Sequence, residues 1–342
     1  DYAYMGLDTC AGCGLCSTAC PVGIDTGDLT RRLRGRKIGG GGRRIGEWTA
    51  NNFGTLATAS RVGLKAGHAV SGILGDNFLG RISGGAWKRQ MPHAGKAPAA
   101  RTTEGDPVVY FPACGGRIFG PSEAGEAQLG DVIMTLLTRA GYAPRLPQGF
   151  DKLCCGQMLA SKGLPDAADG MASTLEAALM DASENGRYPV IMDASACTVR
   201  MQKYMAGRLK LYDFHEFAAE ALLPRLTIAK QAGPVALHVN CSVRRTGSDG
   251  KLKEVLAACV EQIIEPAGVT CCGFAGDRGF VVPELNRHAL RNIHDELPAN
   301  CACGVSTNRT CEIGLTSETG RTFRSIAYLL EECSRKEDNM SC

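Results

Sequence analysis

The chain has 342 residues, of which 44% are hydrophobic and 21% charged, and a net charge of +3. That length predicts two or three domains with sizeable cores, and the composition excludes a disordered or fibrous chain. Seventeen cysteines in so long a chain do not describe a small disulfide scaffold. With no signal-peptide pattern recognised, they read as reduced thiols in a cytoplasmic compartment, many of them metal ligands. No run approaches eighteen uninterrupted apolar residues, so no membrane span is predicted. The first residue is Asp1 rather than Met, which sets the expectation of one part of a longer polypeptide.

In chain order, the first informative stretch is Cys10-Ala-Gly-Cys13-Gly-Leu-Cys16-Ser-Thr-Ala-Cys20-Pro21. Its C-x2-C-x2-C-x3-C-P spacing is that of a bacterial ferredoxin and predicts Cys10, Cys13, Cys16 and Cys20 as ligands of a 4Fe-4S cluster. Zinc sites usually pair two C-x2-C units across a longer gap, which weighs against a zinc knuckle. Gly12 and Gly14 relieve crowding in so tight a loop. In two-cluster ferredoxins the fourth cysteine serves the other cluster. By that geometry Cys10, Cys13 and Cys16 hold the visible cluster. Cys20 points to a second metal or supplies the missing ligand.

Residues 25–36 then read as a helix, with Asp25 and Thr26 as cap candidates, dissolving into a flexible Gly39–Gly42 joint. From Ile45 to about Leu79 the pattern predicts two amphipathic helices broken near Gly67 to Gly72. Leu56, Val62, Leu64, Val70, Ile73, Leu74 and Phe78 form their apolar stripe, expected to pack inward. Between Arg31 and Arg101 stand fourteen Lys or Arg against Glu47 and Asp76, a local net charge of +12. Lacking a nucleic-acid motif and with few aromatics, this segment is read as a docking surface for an anionic membrane or an acidic partner, or as a solvated face. A Gly-, Pro- and Ala-rich loop from Met91 to Pro107 marks a boundary.

Short apolar runs then alternate with helical stretches. Strands are predicted at 108–111, 190–193, 235–240 and 304–307, and helices at 126–140, 165–184, 214–223, 251–259, 284–297 and 325–333. This is an α/β pattern with parallel strands, and ligands belong on loops at the strand ends. The cysteines repeat within it. Cys114, Cys154-Cys155-Gly156 and Cys197 are followed by Cys241, Cys271-Cys272-Gly273 and Cys311, with gaps of 40, 42, 30 and 39 residues. Adjacent cysteines do not readily bond each other, but both can face one metal or cluster. Buried inert thiols suit Cys259 or Cys333, not a repeated doublet.

This layout resembles the cysteine-rich CCG domain found in heterodisulfide reductase, in the iron–sulfur subunits of glycolate oxidase and anaerobic glycerol-3-phosphate dehydrogenase, and in FAD-linked D-lactate and D-2-hydroxyglutarate dehydrogenases. The wording of Cys16–Gly27, Tyr110–Cys114, Cys271–Phe280 and Ser306–Leu315 is most similar to the last group. The resemblance implies a small helical ferredoxin-type part followed by two pseudo-repeated α/β domains. The expected divisions are 1–38, a basic helical linker 39–106, and CCG domains 107–232 and 233–342. It also implies metal or cluster ligands at Cys114, Cys154, Cys155 and Cys197, and at Cys241, Cys271, Cys272 and Cys311.

The chain departs from the full pattern in having Ala194 and Asn308 where each closing C-x2-C would begin. Four thiols per site leave a cubane cluster and a zinc ion both open. Cys301 and Cys303 are read as substitute ligands or strand-edge residues. His238, Arg117, Asp277, Arg278 and Arg309 adjoin the cysteines as candidates for tuning a cluster. No dinucleotide fingerprint, P-loop or nucleophile elbow is present.

The resemblance implies an electron relay, with FAD on a fused domain or a separate partner and a quinone or cytochrome as acceptor. The expected location is cytoplasmic, with peripheral membrane contact through Arg31–Arg101. Alternatives are a free-standing iron–sulfur subunit and a zinc-stabilised, non-redox scaffold. The sequence sets no oligomeric state.

Overall fold

The computed structural model describes residues 3–83, 87, 91–101, 103–121, 123 and 125–335. After the short helix α1 (Leu15–Ala19), Asp25 starts α2 (Thr26–Lys37) by accepting the Asp28 amide at 3.1 Å, an ordinary N-cap. The glycine run is no flexible joint. Gly40 opens α3 (Gly40–Asn51), because the first turn of a helix has unpaired amides in any case and tolerates glycine there.

Nor is the next helix broken at Gly67–Gly72. α4 (Phe53–Leu74) runs straight through, and a Cβ on Gly67 would stand 2.1 Å from the ring of Trp87. That glycine makes room for an indole. The break falls at Gly75, in the positive-φ region (+82°), before α5 (Asp76–Ile82). The stripe expected to pack inward is largely exposed: Val62, Ile73, Leu74 and Phe78 all face out. Of that stripe Leu64 is buried as expected, and Phe53 and Ala57, outside it, are buried with it. Of the basic residues in this segment, Lys88 and Arg89 lie outside the described residues.

Val108-Val-Tyr-Phe111 and Val190-Ile-Met192 are apolar without alternation, as strands covered on both faces must be, and every one is fully buried. They belong to β1 (Asp106–Phe111) and β3 (Val190–Met192), which with β2 (Tyr142–Arg145) and β4 (Leu211–Asp213) form a parallel sheet ordered β2-β1-β3-β4. The second sheet repeats it. β5 (Gln231–Leu237), β6 (Val260–Ile264), β7 (Cys303–Ser306) and β8 (Thr322–Ser325) are parallel in the order β6-β5-β7-β8. The fold is therefore α/β, with two pseudo-repeated parallel units behind a helical N-terminal part.

In the first unit the helices are α6 (Cys114–Ile118), α7 (Leu129–Arg139), α8 (Gln157–Lys162), α9 (Pro165–Ala182), α10 (Ser195–Met205) and α11 (Phe214–Phe217). The expected helix from Phe214 passes into a π-helical turn at Ala218–Leu222. The second unit has α12 (Cys241–Thr246), α13 (Asp249–Cys259), α14 (Arg278–Val281), α15 (Pro283–Ala289), α16 (Ile293–Glu296), α17 (Arg309–Thr319) and α18 (Ile326–Cys333). The single helix expected over 284–297 is two, α15 and α16, divided by turns around Leu290–Asn292.

One hydrophobic core runs through both units, joining Leu136 and Leu137 of α7 to Leu329 and Leu330 of α18. Arg139 crosses the same boundary to Glu331 at 2.8 Å. At the other end of the boundary the carboxyl ends of β3 and β7 meet. Ser195 Oγ donates to Thr307 Oγ1 at 2.6 Å, and the Ser195 and Ala196 amides donate to Thr307 O and Asn308 Oδ1. The Asn240 side-chain amide also donates to Thr307 Oγ1. Removing that hydroxyl strands two buried donors, at about 1–3 kcal/mol each. Thr307→Val should lower the urea midpoint accordingly with an unchanged m-value, whereas an unshifted midpoint would mean that the junction adds nothing to stability.

Candidate metal centres

The cysteines follow from this topology. In a parallel sheet the loops after the strands gather at one edge, and each unit places its thiols there. Cys114 and Cys241 open α6 and α12, directly after β1 and β5, while Cys197 and Cys311 lie in the first turns of α10 and α17. Each doublet arrives on a loop closed by a glycine with positive φ, Gly156 at +77° and Gly273 at +69°. A Cβ there would stand 2.2 Å from Ala168 O or 2.3 Å from Leu285 O. The glycine amides turn back onto Cys154 Sγ (3.5 Å) and Cys271 Sγ (3.3 Å).

The carbonyl of the second cysteine in each doublet is also held, Cys155 O by Arg200 Nε at 2.7 Å and Cys272 O by Asn286 Nδ2 at 2.6 Å. Two buried or half-buried arginines complete the frame. Arg117 Nε donates to Pro112 O and its other nitrogens donate to Asp151 O and Leu153 O, tying Cys114 to the approach to Cys154. Arg244 Nε donates to Val239 O in the same way, three residues after Cys241. The shared C-x2-R spacing, Cys114 to Arg117 and Cys241 to Arg244, was legible in the sequence and marks Arg244 as a position that sequence reasoning missed.

In the first site the thiols pair, Cys114 with Cys154 at 3.7 Å and Cys155 with Cys197 at 3.1 Å. Its bond to Cys154, together with burial, pushes the Cys114 thiol well up. The bond from Cys114 lowers Cys154, but its own bond to Cys155 and burial outweigh this and take it up to about 12. Metal uptake here must therefore expel protons. In the second site Cys272 and Cys311 are hydrogen-bonded, while Cys241 and Cys271 both turn their thiols to Cys13 of the N-terminal loop. Cys13 titrates low because Cys241 and then Cys271 donate to its sulfur.

The other motif cysteines face elsewhere. Cys10 Sγ accepts the Gly12 amide at 3.3 Å, and Cys16 Sγ accepts the Thr26 amide at 3.2 Å. The Ile24 and Val22 amides hold Cys20 below its usual range. Among the described residues, no three His, Cys, Asp or Glu groups are spaced to grip a metal ion as they stand. The donor set nonetheless fits a thiolate-bound metal or cluster. It offers paired soft ligands, backbone N–H groups aimed at sulfur, and arginine and asparagine side chains that hold the carbonyls of the cysteine loops.

His238 lies at the position occupied by Phe111 in the first unit. It is buried, its Nδ1 is 3.0 Å from Ser306 Oγ, and its Nε2 has no partner. Burial and then Arg244 drive its pKa down to about 3, so the ring is neutral. Arg309 pairs with Glu312 at 3.0 Å and donates to Phe119 O. Asp277 pairs with Lys162 of α8, and Arg278 donates to Asp8 O. These groups bind parts of the frame together. Cys303 opens β7, with Cys301 just before it, at the opposite end of the strand from Cys311, which favours the strand-edge reading. Cys259 and Cys333 are not solitary: the Cys333 thiol lies 3.4 Å from Cys259 O. The described cysteines are all free thiols.

With this geometry in view, the comparison with known families is specific to one unit. Residues 235–316 match the CCG cysteine-rich domain. The matched stretch contains Cys241, Cys271, Cys272 and Cys311, which are the thiols that β5, β7 and the doublet loop bring together. The first unit shares the strand order and thiol layout of this CCG domain. No curated protein matches the chain. An iron–sulfur role in electron transfer follows at this coarse level, and no helix among the described residues is long and apolar enough to cross a membrane.

Two buried carboxyls beside the sites were not anticipated. Asp193 accepts from Tyr110 Oη (2.7 Å) and from the amide of Ala113 (2.6 Å), and burial raises it to about 6. Glu312, next to Cys311, is raised by burial to about 7 against the pull of Arg309. A carboxyl raised in the folded state adds stability that is complete below its unfolded value, here about 4.5, and lost as pH climbs through 7. Glu312→Gln should flatten the decline of melting temperature between pH 4.5 and 7. Thermal melts with the wild-type slope would rule out this linkage.

Proposed function

We propose that this chain is the iron–sulfur, electron-transfer portion of a FAD-linked D-2-hydroxy acid dehydrogenase of the D-lactate type. The observation that carries the reading is the gathering of two thiol quartets and the Cys10–Cys20 loop at the carboxyl edges of two paired sheets. Oxidation of the 2-hydroxy acid belongs to a FAD-bearing domain or partner, and the acceptor beyond this chain is a quinone or cytochrome. An iron–sulfur cluster, when bound, takes and gives electrons singly, which suits a relay between two-electron and one-electron partners. By the ferredoxin spacing Cys10, Cys13, Cys16 and Cys20 would hold the ferredoxin-type centre, and the eight repeated thiols the other two. The chain's own groups set the environment. Arg117 and Arg244 fix the loops, glycine amides stabilise thiolate sulfur, and burial excludes water from Cys154, Cys155, Cys197, Cys272 and Cys311.

Iron and acid-labile sulfide analysis of anaerobically purified protein, with EPR after dithionite reduction, tests the reading. Iron with a paramagnetic signal is expected. Cys16→Ser should remove one component, and Cys272→Ser should lower the iron content by about one centre's worth. Zinc alone with no signal would sink it.

The exposed apolar residues of α3–α5 extend the proposal to a membrane partner. Ile45, Trp48, Ile73, Leu74 and Phe78 stand in solvent on helices that also carry Arg43, Arg44, Arg61, Lys65 and Arg81. A basic helical surface with exposed large apolar side chains binds the interface of an anionic bilayer, where a quinone is found. Co-sedimentation with phosphatidylglycerol-containing vesicles should exceed that with neutral vesicles, fall with salt, and drop several-fold in Ile73→Asp/Leu74→Asp. Equal, salt-insensitive pelleting would exclude the membrane.

A further inference from the structure

Ferredoxin spacing assigns Cys13 to the same centre as Cys10 and Cys16, yet the structure docks it against the second unit. The chain turns at Gly12 (φ +62°) and again at Gly14 (φ +77°), on either side of Cys13. Its sulfur lies beside the thiols of Cys241 and Cys271, which belong to the second unit, close enough for the three to shift one another's titration. The loop is clamped in that position. Arg245 Nη1 of α12 reaches Cys13 O at 3.3 Å, and a Cβ on Gly14 would stand 2.9 Å from Arg245 Cζ. Arg278 holds Asp8 O from the other side of the doublet loop. Cys10 and Cys16 are tied instead to α2, through Arg34 at Cys10 O and the Thr26 amide at Cys16 Sγ.

We propose that Cys13 is a ligand of the second cysteine site, which thereby has five thiols, while the first site has four. The inference rests on the reading of these sites as iron–sulfur or metal centres. Its logic is steric and positional. A closing C-x2-C would put a fifth thiol at position 308, but Asn308 spends its side-chain oxygen on the Ala196 amide at the junction between the units. A cysteine thiol is a poor acceptor for that amide, so the junction displaces the ligand, and the N-terminal loop delivers a thiol from outside the unit. The thiol partners of the first site all come from its own unit, Cys114 with Cys154 and Cys155 with Cys197. The two sites of one repeat thus differ in ligand count and in charge, and the second is covalently continuous with the ferredoxin-type loop.

Two measurements on the full chain decide this. In the iron-loaded protein, Cys13→Ser should alter the EPR component that Cys272→Ser alters and keep the one that Cys16→Ser removes. Loss of the Cys16-dependent component in Cys13→Ser overturns the assignment, whatever happens to the other. The second needs neither a variant nor iron. Wild-type protein stripped by a chelator is oxidised with diamide, which takes up two electrons and two protons for each disulfide formed, and its peptides are mapped without reduction. Cys13 joined to Cys241 or Cys271 supports the proposal, and Cys13 joined to Cys10 or Cys16 refutes it. Absence of iron from the wild type would defeat the electron-transfer reading, yet the peptide map would still locate Cys13.

Discussion

The contact between Ser195 and Thr307 is small, but much of the molecule depends on it. Two four-stranded parallel sheets could pack in many ways, and only an arrangement that abuts the carboxyl ends of β3 and β7 brings both sets of thiols to one edge. The Ser195–Thr307 and Ala196–Asn308 bonds fix that arrangement, while the apolar contact of α7 with α18 supplies the burial that makes it stable. Specificity comes from the polar end of the boundary and affinity from the apolar end. Cys114, Cys197, Cys241 and Cys311 then need no further instruction, since each stands within five residues of the end of an interior strand.

Burying many sulfurs together is electrostatically expensive once they ionise. The chain answers with neutral donors in place of free cations near the thiols. The guanidinium of Arg117 is committed to backbone carbonyls and that of Arg244 to Val239 O and the Glu265 carboxylate, so they stiffen the cysteine loops and lend positive charge only at a distance. Closer to sulfur the donors are amides, from Gly156, Gly273, Gly12 and Thr26. An amide stabilises a thiolate without adding a group that must itself be desolvated as an ion. The same low-dielectric setting explains why Asp193 and Glu312 hold their protons far above the usual carboxylate range.

What the sequence revealed divides along physical lines. The four strands it showed, β1, β3, β5 and β7, are the interior strands of their sheets, whose apolar content is dictated by helices on both faces. The four it hid, β2, β4, β6 and β8, are all edges. Tyr142-Ala-Pro-Arg145 even carries a proline, acceptable only where one side of the strand is unpaired. The thiol repeat was legible because its spacing is local to each unit. The destination of Cys13 was not, because it depends on how a loop at the start of the chain docks against α12, more than two hundred residues later. Glycine misled twice, at Gly40 and at Gly67, where its use is a helix start and a space for Trp87 rather than flexibility.

The two units share strand order, doublet glycine and C-x2-R clamp, yet their thiols sit in different surroundings. Three of the four in the first site are buried, whereas Cys241 and Cys271 in the second are only half-buried. The reason lies in what covers them. The first doublet loop is roofed by α9, against whose Ala168 carbonyl Gly156 packs, and by Arg200 of α10. The second is roofed partly by the N-terminal loop, through Cys13, Arg245 and Arg278. A site closed by its own unit is set once that unit folds. A site closed by a distant segment is complete only when the segment docks, and whatever moves the N-terminal loop reaches the second site before the first.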